Sequence, residues 1–124
     1  MKKYIIIFLS FLFIACSNLQ KIDYCEHKNE LFEFITSISD NISNNNFQFL
    51  EDNTEKTLVN TKILENIRDI DFTKVNIFIS EPVLSTDRVF SIFAINVGDR
   101  TLYFEIHFTY KGNGWKILRI NERG

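Results

Sequence analysis

Arg100-Thr101-Leu102-Tyr103-Phe104-Glu105-Ile106-His107-Phe108-Thr109-Tyr110 is the longest strictly alternating stretch in the chain. Successive side chains of a strand point to opposite faces. Leu102, Phe104, Ile106, Phe108 and Tyr110 therefore share one face, and Thr101, Tyr103, Glu105, His107 and Thr109 share the other. A helical period of 3.6 would mix the two sets, so the stretch predicts a strand. Turn signals stand at both ends. Gly98-Asp99 reads as a two-residue hairpin, because glycine supplies the positive φ such turns need. Lys111-Gly112-Asn113-Gly114 reads as a four-residue hairpin loop.

These turns fix the neighbouring strands and their registers. Arg88 to Val97 comes before the first turn, and Trp115 to Asn121 follows the second. The two-residue turn sets Val97 opposite Arg100 and Phe93 opposite Phe104. The four-residue loop sets Tyr110 opposite Trp115 and Phe108 opposite Ile117. Val89, Phe93, Ile95, Leu102, Phe104, Ile106, Phe108, Tyr110, Trp115 and Ile117 then make one face, expected to meet helices. Phe93, Phe104, Phe108, Tyr110 and Trp115 are candidates to line a cavity there; dense packing is the competing reading.

The opposite face carries Phe90, Ile92, Ala94, Tyr103, Glu105, His107, Leu118 and Ile120. It is more apolar than a solvated sheet face, where polar residues should alternate with the core set. Exposed apolar patches above a few hundred Å² mark interaction sites. Phe90, Ile92, Tyr103, Glu105, His107, Leu118 and Ile120 are therefore the candidate partner face, for a second copy of the chain or another protein. A one-residue slip would exchange the faces of any strand. An even loop at Ser85-Thr86 would add Val75, Ile77 and Ile79 to this outer face.

Upstream, Lys74 to Ser80 reads as the first strand, ending at Pro82, which cannot donate to a ladder. The period before Phe72 is helical. Leu31, Phe34, Ile35, Ile38 and Ile42 form an apolar stripe over residues 26–43. Asn44-Asn45-Asn46 ends that helix, since asparagine favours helix ends and turns. Phe47 to Leu50 reads as a short helical connector. Asp52-Asn53-Thr54-Glu55 has the form of a capping box for a second helix. That helix would run to about Asp69, with Val59, Ile63 and Ile67 on one side. The expected fold is α+β, N-terminal helices packed on a four-stranded antiparallel meander.

Residues 1–15 differ from the rest. Lys2 and Lys3 precede an apolar run from Tyr4 to Ile14, broken only by Ser10, and then Ala15 and Cys16. Charge, apolar run and small residue in that order predict a secretory signal peptide. The run falls short of the ~20 apolar residues a membrane-spanning helix requires. Leu12-Phe13-Ile14-Ala15-Cys16 resembles the bacterial lipobox, with Phe13 in place of the usual leucine. The resemblance implies cleavage between Ala15 and Cys16, diacylglycerol on the Cys16 sulfur, and acylation of the new amine. Ordinary cleavage after Ser17 is the competing reading. The expected organisation is 1–15 signal peptide, 16–25 lipidated tether, and 26–124 a single α+β domain. The implied place is the cell envelope, anchored to the membrane surface through lipid. Ser17 is not the aspartate that resembles an inner-membrane retention signal, which points to the outer membrane where the organism has one.

The whole chain has 14 basic and 16 acidic residues and a net charge of −2. Without Lys2 and Lys3 the balance is −4. With no basic patch, nucleic acid is not an expected partner. With Cys16 acylated, Cys25 is left as a free thiol or a link between two chains. His27 and His107 are the only histidines, and neither sits in a metal-ligand spacing, so no metal and no cofactor is expected.

Helix, turn, helix and an antiparallel meander resemble the nuclear transport factor 2-like superfamily, a cone of helices wrapped by a curved sheet. The likeness covers roughly residues 26–121 and includes Lys111-Gly112-Asn113-Gly114-Trp115-Lys116-Ile117, similar to the close of many small lipoproteins of this type. A cystatin-like helix on a sheet is the neighbouring option. Such folds host enzymes, ligand binders and interaction modules, so fold alone does not give function. The superfamily's dehydrating and isomerising members use an acid/base pair inside the cone, and no such motif carries over onto this chain. Glu105 and His107 share a strand face and so could form an acid/base pair, but no nucleophile or oxyanion donor accompanies them. The expectation is a membrane-anchored binding or interaction module, with a small-molecule ligand as an option. A cavity-bearing dehydratase or isomerase is the alternative, and an envelope inhibitor or immunity-like protein using the loop from Ser80 to Asp87 is a third.

Overall fold

The computed structural model describes residues 19–86 and 88–123. The expected signal peptide and lipidation site, residues 1–15 and Cys16, lie outside the described residues. Among the described residues four helices come first: α1 (Leu19–Glu26), α2 (Lys28–Ser43), α3 (Phe47–Asp52) and α4 (Leu58–Ile67). Five strands follow: β1 (Asn76–Ile79), β2 (Val83–Ser85), β3 (Arg88–Val97), β4 (Arg100–Tyr110) and β5 (Trp115–Arg123). They form one antiparallel sheet in the order β1-β3-β4-β5, with β2 also on β3. The chain is α+β, helices before an antiparallel sheet.

The two hairpins hold the expected registers. Val97 pairs with Arg100 and Phe93 with Phe104, while Tyr110 pairs with Trp115 and Phe108 with Ile117. Gly98, at φ 65°, takes the first corner of the β3–β4 turn. Leu31, Ile35, Ile38 and Ile42 of α2 are buried, as are Phe93, Ile95, Phe104, Ile106, Phe108, Trp115 and Ile117 of the sheet. Each such side chain contributes roughly 1.5–3 kcal/mol of transfer free energy. Trp115 satisfies its buried ring N–H by donating to the His27 carbonyl at 2.9 Å.

Several local expectations give way to longer-range contacts. Residues 19–26 form a helix, for which no expectation was stated. The expected first strand, Lys74 to Ser80, is β1, and a further short strand that was not expected, β2, follows the buried Pro82. Ile77 and Ile79 pair with Ile95 and Phe93, so they stand on the helix-covered face and not the outer one. The capping box does not form: Asp52 ends α3, and the N-cap of α4 is Thr57, whose hydroxyl accepts from the Asn60 amide. The Glu55 amide is instead drawn to the Ile117 carbonyl, 2.8 Å away. The buried side of α4 is Asn60, Leu64 and Ile67, leaving Leu58 and Val59 exposed.

The largest departure is in β5. Its register shifts between His107 and Phe108, so Phe108 pairs with Ile117 but His107 pairs with Arg119. Leu118 is the extra residue of a β-bulge, and every residue after it changes face. Ile120 therefore pairs with Ile106 and is 3% exposed within the core; its expected place on the outer face is corrected by this bulge. Asn60, buried in α4, holds the bulged segment. Its Nδ2 donates to the Glu55 and Leu118 carbonyls, and its Oδ1 accepts from the Ile120 amide.

Candidate functional site

The outer face of the sheet joins an apolar part to a polar part. Pairing of Phe78 with Ala94, Val83 with Phe90, Ile92 with Glu105 and Ala94 with Tyr103 brings the apolar set together. Phe78 is 63% exposed and Tyr103 48%; Val83 is also exposed, and Phe90 and Ile92 are half-buried.

The polar part follows from the bulge. His107 on β4 lies beside Phe90 on one side and Arg119 on the other. Glu105, two residues along, has Asn121 opposite it, and Tyr103 has Arg123. Arg119 Nε donates to Asn121 Oδ1 at 2.9 Å, and Asn121 Nδ2 lies 3.4 Å from His107 Nε2. Glu105 Oε1 is 3.4 Å from the same nitrogen, and its Oε2 is 3.3 Å from Arg123 Nε. His107 is only 5% exposed, with the Phe90 ring centroid 5.6 Å from its own. Burial holds its pKa below the ordinary value. Glu105 opposes that shift, while Arg88 and Arg119 add to it. The ring is thus neutral at pH 7.

Arg88, Val89, His107, Phe108, Leu118 and Arg119 line a cleft of about 100 Å³ at this end of the face. The bulge positions two of its walls, since Leu118, at 41% exposure, and Arg119 stand together opposite His107. A wider polar cleft, about 330 Å³, lies between α3 and the β4–β5 loop. There Lys111 pairs with Glu55, and Lys116 Nζ donates to Asn53 Oδ1 at 3.0 Å.

Of the partner-face candidates, Phe90, Ile92, Tyr103, Glu105 and His107 come together on the outer face, Leu118 sits at the bulge, and Ile120 is turned inward. The aromatic candidates on the other face pack against neighbours. Phe93 meets Phe104 at 6.1 Å between ring centroids, Phe108 meets Phe34 at 6.1 Å, and Trp115 meets Tyr110 at 5.4 Å. Tyr110 also stacks on His27 at 4.0 Å. Sequence reasoning missed Arg119, Asn121, Arg123 and Arg88. The spacing of Ile117 and Ile120, three apart where a strand calls for two, was the available sign of the bulge.

Among the described residues no cluster of three or more His, Cys, Asp or Glu side chains could hold a metal ion. No described helix is long and apolar enough to cross a membrane. No protein-family model, curated protein or solved structure matches the chain.

Proposed function

We propose that the chain is a lipid-anchored protein of the cell envelope whose domain is a binding or interaction module without catalysis of its own. The lipobox-like Leu12-Phe13-Ile14-Ala15-Cys16 supports the anchor and its cleavage before Cys16. The helix-then-meander order and the buried Trp115 after the glycine-rich hairpin support a nuclear transport factor 2-like variant. With Ser17 after the lipidated cysteine, the outer membrane is the proposed location where the organism has one.

The observation that carries the binding reading is the outer face, where Phe78, Val83 and Tyr103 are exposed beside Phe90 and Ile92. A second copy of the chain is the occupant to test first. The same face holds Glu105 beside Arg119 and Arg123, so it carries both signs and can complement itself across a two-fold axis. A dehydratase or isomerase would need an acid and a base directed among the helices. Glu105 and His107 instead share the outer face, which favours binding.

Two substitutions test the reading separately. Cys16→Ser is expected to move the full chain from the detergent-extracted to the soluble fraction; unchanged partitioning would remove the anchor. Ile92→Glu is expected to convert a dimer to monomer in size-exclusion runs. A wild-type chain already monomeric at the same concentration would turn the search to an envelope partner.

A further inference from the structure

We propose that two copies of the chain join along the open margin of β1, Ile77 of each pairing with Ile79 of the other in one continuous antiparallel sheet. This rests on the reading above that a second copy is the occupant. It gives that copy a specific place, edge to edge with the first rather than face to face.

The β3–β4 turn decides which backbone groups the margin offers. Across a two-residue hairpin the flanking pair, here Val97 and Arg100, exchanges both of its bonds. Odd-numbered residues of β3 therefore bond to β4, and even-numbered ones direct their backbone to β1 and β2. Ser80 agrees, since its amide donates to the Ile92 carbonyl at 2.9 Å. Asn76 and Phe78, opposite Asn96 and Ala94, thus direct their backbone groups to β3. Ile77 and Ile79 direct theirs away from the sheet. Those two N–H and two C=O groups meet no partner among the described residues.

Two outward residues two positions apart complement themselves. Take a two-fold axis beside Phe78, perpendicular to the sheet. Ile77 of one copy then lies opposite Ile79 of the other, and each such pair exchanges two N–H···O=C bonds. All four outward groups of each β1 are satisfied. Centring the axis on Ile77 or on Ile79 instead would leave the other residue without a partner inside β1. In the Phe78-centred register Phe78 stands across from its own copy as a non-hydrogen-bonded pair, with Cα atoms ~4.5 Å apart. Aromatic cross-strand pairs at that spacing are favourable. The pairing thus covers the Phe78 side chain, which is 63% exposed in the single chain.

Charge sets the direction of pairing. Edge strands that avoid partners carry charges or proline within them, and Asn76-Ile77-Phe78-Ile79 has neither. The charges stand just outside, Lys74 before the strand and Glu81 after it, both exposed. Antiparallel pairing brings the Lys74 end of one copy to the Glu81 end of the other, so opposite charges meet at both ends of the contact. Parallel pairing would set like against like. Lys74 also lies 3.8 Å from Asp71 of its own chain, and an ammonium has donors for both carboxylates. Pro82, which cannot donate to a ladder, limits the contact to this length.

The test combines sedimentation equilibrium of the full chain in neutral detergent with cysteine cross-linking. Ile77→Pro removes an outward N–H and no bond to β3, a change an edge strand tolerates. It should weaken the dimer ~10-fold or more, because each copy loses one backbone bond. Tyr103→Lys, on the same outer face but two strands from the margin, should leave the dimer unchanged. In a Cys25→Ser background, Phe78→Cys should form a disulfide-linked dimer on mild oxidation, and the background alone should form none. Should Ile77→Pro not fold, the cross-link decides. A dimer lost in Tyr103→Lys, kept in Ile77→Pro and not linked through Phe78→Cys would overturn the margin contact and leave the face-to-face reading standing. A native chain that stays monomeric, with no link through Phe78→Cys, would overturn both.

Discussion

The two faces of β4 make opposite use of one alternating sequence. On one side Phe104, Ile106 and Phe108 are buried beneath the helices. On the other, Tyr103 is largely exposed, while Glu105 and His107 belong to a charged network with Arg119, Asn121 and Arg123. The core face carries no charged side chain, because a buried charge without a partner is costly. The outer face accommodates a buried histidine because an asparagine and a glutamate stand beside it. Burial alone therefore does not separate core from site; the character of the neighbours does.

The sharpest way to break this comparison lies at the bulge. A strictly alternating β5 would put Leu118 and Ile120 on the same outer face. With the bulge, Ile120→Glu places a carboxylate in the core and should cost more than ~3 kcal/mol, while Leu118→Glu should stay within ~1 kcal/mol. Denaturant titration of the two variants reads the difference directly, and equal costs would mean the bulge is absent in solution.

A smaller effect comes from pH. Because the folded chain favours neutral His107, the unfolded chain binds its proton first as pH falls. Stability should be level above the ordinary histidine value of about 6.5 and decline below it, until the folded-state ring is protonated too. Replacing His107 with Gln should flatten the part of this decline that lies above pH ~5.5, where carboxylates contribute little. Urea midpoints taken from pH 7.5 to 5.5 check the slope.

The smallest expected change is inside the core. Ser91 is fully buried on the helix-covered face, and its hydroxyl has no hydrogen-bond partner among the described residues. Ser91→Ala removes that unsatisfied group at little loss of volume. It should leave the melting temperature unchanged or raise it slightly, since relieving an unpaired buried hydroxyl is worth ~1 kcal/mol at most sites. A clear drop would point to an ordered water bonded to the hydroxyl.

How much of this was legible follows from the range of the forces involved. Period two in residues 100–110 and the glycines of both hairpins gave the central registers, because turn geometry and pleat act locally. The stripe from Leu31 to Ile42 was legible for the same reason. The capping box failed because Glu55, free to fold back in an isolated peptide, gives its amide to Ile117, sixty-two residues away in the chain. Val59 looked like a core residue by spacing, yet α4 is turned so that Asn60 reaches β5 instead. The site's arginines were hidden for one further reason: a single extra residue re-aims everything after it, and Leu118 has nothing in its own chemistry to announce that role.

Asn60 has a consequence for association. Asn53, Glu55 and Asn60 occupy the outward hydrogen-bonding groups of β5 at Ile117, Leu118 and Ile120. Along that stretch the sheet offers no docking sites to another strand, and its open margin is β1 with β2, short segments separated by Pro82. Strand-by-strand polymerisation needs two receptive margins on every molecule, one to join and one to be joined. A margin sealed along its middle works against chain growth: two copies can meet at the open margins, and a third finds no docking sites at Ile117, Leu118 and Ile120.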